Sequence, residues 1–572
     1  MNASSFQLPQ HVSEDRRRAR EATIELQRRR LVFKADDLGG EAETGNFRRL
    51  PSSFDTLPKE LDFPLSHLSL VGGQRVWTWL VEVKARLLAR LFPLRAEKGY
   101  RALYRLMKGD PSRVASWRDD LEFGRQRLSG VNPMAIRRVR ELEQTELFRV
   151  ADGVLPRLPD GKPPKSLAEL HAAGRLFEVD YRHMADPRIQ KHVVQQGITL
   201  AAPRCLFWVD GYEALRPLAM QLRPEGVPAA NLVFSPLSPP AAWLLARAHF
   251  QAADTHVHEA PYHLVETHLV TGAIALAALR QLHPDHPFRQ LIEPHFDFNL
   301  AINKLALGGL LAPGGTIDTT VAAGVAGAMN AGRMHMATWR YPERTLHRDL
   351  AERGVCDESV LSGYYYRDDA LRLHEAISEY TRRILRLWYK SHDDVRNDYE
   401  LQRFVAEVGS PEGGNIPGFP AALSTCDDAF ALAAEIIFRA GPQHAAVNNG
   451  QFDAYGWIPG GPGEVAAPVP ETEEQAAALT EAQLWKAFPD IDTSLAQMGM
   501  VWVLSRPTVH SILHSGDAPA FRPELCFEAD DVIGAFRRKL VAISDSIQLR
   551  NSRLEQPYVY LDPLNVSRST DI

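Results

Sequence analysis

The stretch from Asp254 to Asn303 constrains this chain more than any other. It reads DTHVHEAPYHLVETHLVTGAIALAALRQLHPDHPFRQLIEPHFDFNLAIN, and six of the twenty histidines fall between His256 and His286, with His295 following. His258, His263, His268, His286 and His295 are separated by four, four, seventeen and eight residues. A buried imidazole needs a partner for each ring nitrogen. Several of them in an apolar helical stretch therefore point to a metal. His263 and His268 are five residues apart. On a regular α-helix they would sit about 140° from each other and could not share an ion. A local π-turn, with i to i+5 hydrogen bonds, brings such positions into line, and Pro261 already disturbs the ladder there.

A second candidate element is AGPQHAAVNNGQFDAYGWIP, residues 440–459. His444 and Asn448 are four apart and so share a helix face. Ala445 and Ala446 between them permit close approach of another helix. Three imidazole nitrogens and an amide oxygen form a mixed N/O set, which suits iron or manganese better than a thiolate-rich structural zinc. The four cysteines, Cys205, Cys356, Cys426 and Cys526, form no CxxC pair. Zinc knuckles and a disulfide framework are not expected, and a reducing, cytoplasmic setting fits.

Sixty-five basic against 71 acidic residues give a net charge of -6, and nucleic acid is not an expected partner. No signal peptide or transmembrane segment is expected. Residues 1 to about 60 are polar, with arginines at 16–18, 20 and 28–30, and read as a solvated helix or tail. From Trp77 to Arg95 an amphipathic helix is expected, facing the core or a membrane surface. Gly130 and Pro133 mark a turn between two helical pieces. CLFWVD at Cys205–Asp210 with LRPLAMQL after it reads as a hairpin. Beyond residue 240 the pattern is mostly helical, with long helices at Ala370–Ser391, Asp427–Arg439 and Ala529–Leu554. The fold class expected is mostly α with a few short β-hairpins.

The five-histidine spacing, the HAAVN segment and the C-terminal isoleucine together resemble the lipoxygenase family of non-haem iron dioxygenases. The resemblance extends to WRDDLEFGRQRLSGVNPMAIRRV (117–139), PPKSLAELHAAGRLFEVDY (163–181), LFWVDGYEALRPLAMQL (206–222) and NSRLEQPYVYLDP near the end. It implies that His263, His268 and His444 ligate one iron, with Asn448 as a weaker ligand and the main-chain carboxylate of Ile572 as the fifth; manganese is the alternative metal. His258, His286 and His295 then become supporting residues. His256 and His283 have no family counterpart and read as surface or capping residues. Glu259 and Gln451 would stand behind the ligands. The implied activity is dioxygenation of polyunsaturated fatty acids containing a cis,cis-1,4-pentadiene, by hydrogen abstraction at a ferric hydroxide followed by O2 addition, with no organic cofactor.

Ala306 falls where the family carries Ala or Gly, and Ala implies S-configured hydroperoxides. Ile302, Leu310 and Ile317 would line the apolar pocket. Pro442 is unusual just before the third ligand and would kink that helix. Too few strand-like runs precede residue 115 to build the family's N-terminal β-barrel. The expected organisation is a helical N-terminal extension over 1–115, acting as a lid or lipid contact, and an iron-binding catalytic domain over 116–572, as in compact bacterial-type members. The rival expectations are a fatty-acid hydroperoxide isomerase on the same iron, a silent lipid-binding protein, and a zinc-dependent hydrolase.

Overall fold

The structure is a computed structural model that describes residues 6–35, 47–89, 96–155, 166–226, 232–506, 511–514 and 526–570. Helices dominate, as the patterning implies. Those that matter here are α1 (Glu14–Arg30), α2 (Leu65–Ala89), α3 (Pro240–Val257), α4 (Val270–Gln281), α5 (Asn299–Gly308), α6 (Tyr365–Leu385), α7 (Cys426–Phe438), α8 (His444–Asn448), α9 (Ile491–Leu504) and α10 (Cys526–Asn551). A π-helix over His258–Leu269 joins α3 to α4, and a second π-turn over Arg439–Gln443 joins α7 to α8. The strands are β1 (Phe33–Lys34), β2 (Ser53–Phe54), β3 (Arg137–Arg138), β4 (Leu176–Asp180), β5 (Arg204–Val209), β6 (Leu215–Gln221) and β7 (Val233–Phe234).

β3 to β7 form one antiparallel sheet in sequence order. The β5–β6 hairpin closes on Asp210, whose carboxylate accepts from the Tyr212 and Ala214 amides at 2.8 and 3.0 Å. Both faces of β5 are buried, which explains its unbroken apolar run. Phe207 stacks on Phe123 (5.9 Å), and Phe123 meets Phe250 of α3 edge-on (5.2 Å). The sheet is thereby packed against the helix that leads into the histidines.

Three expectations need correction. The segment after Pro133 is not a second helix: Arg137 and Arg138 pair with β4, and the Arg137 guanidinium meets Glu178 across the strands at 2.8 Å. The helix expected at Ala370–Ser391 spans Tyr365–Leu385, because Ser391 is used to cap the next helix in a capping box with Asp394. The N-terminal arginine cluster is not simply solvated. Arg20 is buried and forks onto both carboxylate oxygens of Glu400 at 2.8 and 2.9 Å, 380 residues away. Glu400 is fully buried, so removing its partner strands a charge in the core. Arg20→Met is expected to cost about 3 kcal/mol, read as a lowered urea midpoint; a loss below about 1 kcal/mol, the range of a surface pair, would refute that role.

Among the described residues, the helical run Pro240–Gln281 alone is long and apolar enough to cross a membrane, and 89% of its most apolar window is buried inside the fold. It is the central core element. Among the described residues before 104, the strands are β1 and β2, two residues each.

Candidate metal centre

Both π-segments contain a proline, and the chemistry explains the coincidence. Pro261 and Pro442 have no amide hydrogen and crowd the carbonyl four residues back. An α-helical ladder cannot pass through them undisturbed, and the wider i to i+5 turn absorbs the fault. In the first segment this puts His263 and His268 on one side. In the second, Pro442 sits within the turn that delivers His444 into α8, in place of a simple kink.

His263, His268 and His444 converge. Their ligand atoms all lie within 4.8 Å of one another, and all three residues are buried. His268 Nε2 is 3.3 Å from His263 Nε2 and 3.1 Å from His444 Nε2. The His268 ring stands at 69° to His263 and 86° to His444, so the rings splay about a common point. The far nitrogens fix the tautomers. His268 Nδ1 donates to Asn303 Oδ1 (3.1 Å), and His263 Nδ1 donates to Glu259 Oε2 (3.3 Å). Burial, reinforced by the His263 ring, depresses His268 to about 3, and burial also lowers His263. Both rings are therefore neutral, with protons on Nδ1 and bare lone pairs on Nε2. Two lone pairs facing each other at 3.3 Å have no proton between them, an arrangement that a cation would satisfy. The donor set fits a metal.

Asn448 is one turn beyond His444. Its Oδ1 accepts from Gln451 Nε2 (2.8 Å) and its Nδ2 donates to Leu504 O of α9 (3.0 Å). Ile572 lies outside the described residues. The tail leading to it is buried: His295 Nδ1 donates to the Arg568 carbonyl (2.8 Å), and Asn299 Nδ2 donates to Thr570 Oγ1. His258 Nε2 donates to the Val447 carbonyl (2.7 Å), which ties the π-helix to α8. His286 meets the buried Asp398 carboxylate at 3.0 and 3.1 Å, away from the three-histidine cluster. His283 caps locally, its Nδ1 accepting from the Asp285 amide (3.0 Å). His256 is not a surface residue. It is fully buried, donates from Nδ1 to Ala252 O, and accepts at Nε2 from the Ala323 amide.

Of the pocket candidates, Ala306 is half-buried on α5, three residues beyond Asn303 and hence on a neighbouring part of the same face. Leu310 and Ile317 are brought together by the Ile317 amide bonding the Leu310 carbonyl (3.2 Å). Ile302 packs instead with Phe63, Leu276 and Leu279, in the cluster shared with the N-terminal segment. A small cavity beside Glu259 is lined by Thr255, Thr320, Val321, Tyr455 and Met500, none of which sequence patterning singled out.

Asn299 and Asn303 were also missed. The Asn303 amide brackets His268, accepting from its Nδ1 and donating to its carbonyl (3.1 Å). Their i, i+4 spacing on α5 was the available signal. A Cβ at Gly272 would lie 2.8 Å from Asn303 Nδ2 and 3.1 Å from Asn299 Oδ1. Gly272→Ala should therefore push Asn303 off His268 and weaken metal retention about tenfold, read by iron content after dialysis against a chelator. Unchanged retention would show that Asn303 does not orient the ring.

Known proteins resemble this chain over most of its length. The lipoxygenase family profile matches residues 104–557. The polyunsaturated fatty acid lipoxygenase ALOX8 of Mus musculus is 31% identical over 531 residues, 90% of this chain and 75% of its own length. Human ALOX12, another polyunsaturated fatty acid lipoxygenase, is 32% identical over 470 residues, 80% and 67%. The hydroperoxide isomerase ALOXE3 of Mus musculus is 32% identical over 460 residues, 80% of this chain and 62% of that protein. A crystal structure of a lipoxygenase with arachidonate superposes with a TM-score of 0.88 at 26% identity, covering 99% of this chain and 83% of the other. A coral 8R-lipoxygenase gives 0.84 over the same shares, also at 26% identity. The match runs through both histidine-bearing helices and the fold is shared over nearly the whole chain: this protein belongs to the lipoxygenase family.

Proposed function

We propose that the protein adds O2 to polyunsaturated fatty acids carrying a cis,cis-1,4-pentadiene and gives S-configured hydroperoxides. The observation that carries this reading is the buried trio of imidazoles whose Nε2 atoms face one another. Membership of the family supports it. His263, His268 and His444 would hold the metal, with Asn448 and the Ile572 carboxylate completing the set. Iron held there supplies the one-electron redox chemistry that takes a hydrogen atom from a bis-allylic carbon; manganese fits the same donors.

The protein's own residues do the rest. Glu259 and Asn303 hold the two π-helix imidazoles in the Nδ1–H tautomer. Gln451 holds the Asn448 oxygen in place. Leu310 and Ile317 supply apolar walls, Ile302 lies in the neighbouring apolar cluster, and exclusion of water protects the radical formed on the substrate. The Ala306 methyl narrows one end of the reacting pentadiene, so that O2 meets the other. Residues 1–115 act as an extension lying on a catalytic body formed by 116–572.

The test is conjugated-diene absorbance with linoleate or arachidonate from protein carrying about one iron per chain. A folded, iron-loaded protein that gives neither diene nor O2 uptake would sink the proposal. Ala306→Gly should raise the R-product share severalfold, corresponding to about 1 kcal/mol between the two oxygenation positions. Chiral chromatography of the reduced product reads it, and an unaltered S:R ratio would remove Ala306 from stereocontrol.

The similarity to ALOXE3 proteins, named hydroperoxide isomerases, favours a second reading on the same residues. That activity would consume fatty-acid hydroperoxide with no O2 uptake. An oxygen electrode run with linoleate and then with its hydroperoxide separates the two.

A further inference from the structure

α2 carries apolar residues on two opposite faces. At 100° per residue, Trp77, Val81 and Ala85 fall together on one side, with Thr78 beside them. Trp77 stacks on Trp502 of α9 with ring centroids 4.0 Å apart, and Val81 packs into the cluster containing Met498 and Trp502. This face is fully used. The other face is not. Val76, Trp79, Leu80 and Leu87 are 58, 58, 54 and 55% exposed. With half-buried Val83 they make one stripe about 100° wide and, from Val76 to Leu87, about 16 Å long. Its two edges carry exposed bases: Arg75 on one side, next to Arg86, whose Nε is paired with Asp492 Oδ1 (2.8 Å), and Lys84 on the other. The acidic residue of this stretch, Glu82, is turned towards α9, where a Cβ on Gly499 would lie 3.2 Å from its Oε1.

We propose that this stripe docks the protein onto an anionic lipid surface, with α2 lying in the plane of the headgroups. A helix with an apolar stripe, basic flanks and an outward tryptophan has the composition that partitions into an interface. The bases complement anionic headgroups locally although the whole chain is acidic at -6. A protein partner would more commonly meet a surface depleted in lysine. Among the described residues α2 does not have the hydropathy to span a bilayer, so it rests on the membrane. The docking face backs directly onto α9, whose Leu504 carbonyl holds Asn448. The usefulness of a lipid partner rests on the fatty-acid reading above; the binding itself does not.

The test is co-sedimentation of the full iron-loaded chain with extruded vesicles of phosphatidylcholine alone, or with about 30% phosphatidylglycerol. Wild type should bind the anionic vesicles about tenfold more tightly than the neutral ones, and salt near 0.5 M should erase that preference. Trp79→Ser/Leu80→Ser and Arg75→Glu/Lys84→Glu, each with an unchanged melting temperature, should each weaken anionic binding about tenfold or more. Equal binding of wild type and both variants, or no wild-type binding, would overturn the proposal. So would a wild-type dimer in light scattering that Trp79→Ser/Leu80→Ser converts to a monomer, since the stripe would then be a self-association surface. Vesicle binding without any oxygenation of dispersed linoleate would overturn the functional reading and leave the docking surface standing.

Discussion

His444→Ala should lose metal and turnover together. The expected iron content falls from about one per chain to below about 0.1, and oxygenation falls to background, forfeiting most of an acceleration that enzymes generally place at roughly a millionfold or more. His444 is buried, and its Nε2 lies 3.1 Å from that of His268. Among the described residues no other group of three or more metal-competent His, Cys, Asp or Glu side chains converges in this way, so there is no neighbouring set to inherit the ion. Two facing imidazoles alone bind a divalent ion far more weakly than three plus oxygen donors. The substitution also empties an imidazole-sized space beside Ala445 and Ala446, which would cost roughly 2–4 kcal/mol if the core does not relax. Loss of activity could then come from unfolding. Two measurements separate the causes. His444→Gln keeps most of the volume and should still lose iron. Added Fe(II) should raise the melting temperature of apo wild type by mass action but not that of either variant. Retained iron with full turnover in both variants would refute the assignment.

How much of this was legible in the sequence depends on whether the signal was local. The i, i+5 spacing of His263 and His268 was enough to require a π-turn, because α-helical geometry excludes a shared ion at that separation. The adjacent proline gave a local cause. The His444–Asn448 spacing was ordinary helix periodicity. The β5–β6 hairpin was readable because its two apolar runs flank a turn built on Asp210. The residues that orient the site were not readable in the same way. Asn303 acts on His268 only because α5 folds back across α4 at Gly272, and no local pattern in the sequence marks that crossing. Arg20 looked like one more exposed base in a cluster. Its partner, Glu400, is 380 residues away, and single-sequence periodicity carries no information about such a pair. His256 read as a surface or capping residue, and its burial escaped notice for the same reason: the amide that satisfies it belongs to Ala323. Imidazoles fully bonded to backbone on both sides look, in one dimension, like ligands or like surface groups.

Appending residues after Ile572 should damage the centre nearly as severely as losing a histidine, if the terminal carboxylate is the proposed fifth donor. The tail approaching that position is not free to adjust. Ser569 and Thr570 are fully buried. The Arg568 carbonyl accepts from His295, and the Thr570 hydroxyl accepts from Asn299. Asn299 and Asn303 also point amide donors at the His268 carbonyl, at 3.5 and 3.1 Å. The described end of the tail is thus held by a side chain that also faces the backbone of a candidate ligand. Two further residues extend the chain by at most about 7 Å beyond Thr570, so a ligand role for the Ile572 carboxylate leaves little slack in the tail. A Gly-Ser extension would replace that carboxylate with a neutral peptide carbonyl. It would also force new backbone polar groups into a dry site where they have no partners. Metal affinity is expected to fall more than about 100-fold, beyond the 10- to 100-fold seen when groups behind a ligand are altered. Turnover should fall with it. Equal-length controls matter: the same Gly-Ser pair placed at the N-terminus should leave iron content and oxygenation unaltered. An extended C-terminus that still binds about one iron and oxygenates linoleate at the wild-type rate would remove Ile572 from the ligand set and leave a centre built from side chains alone.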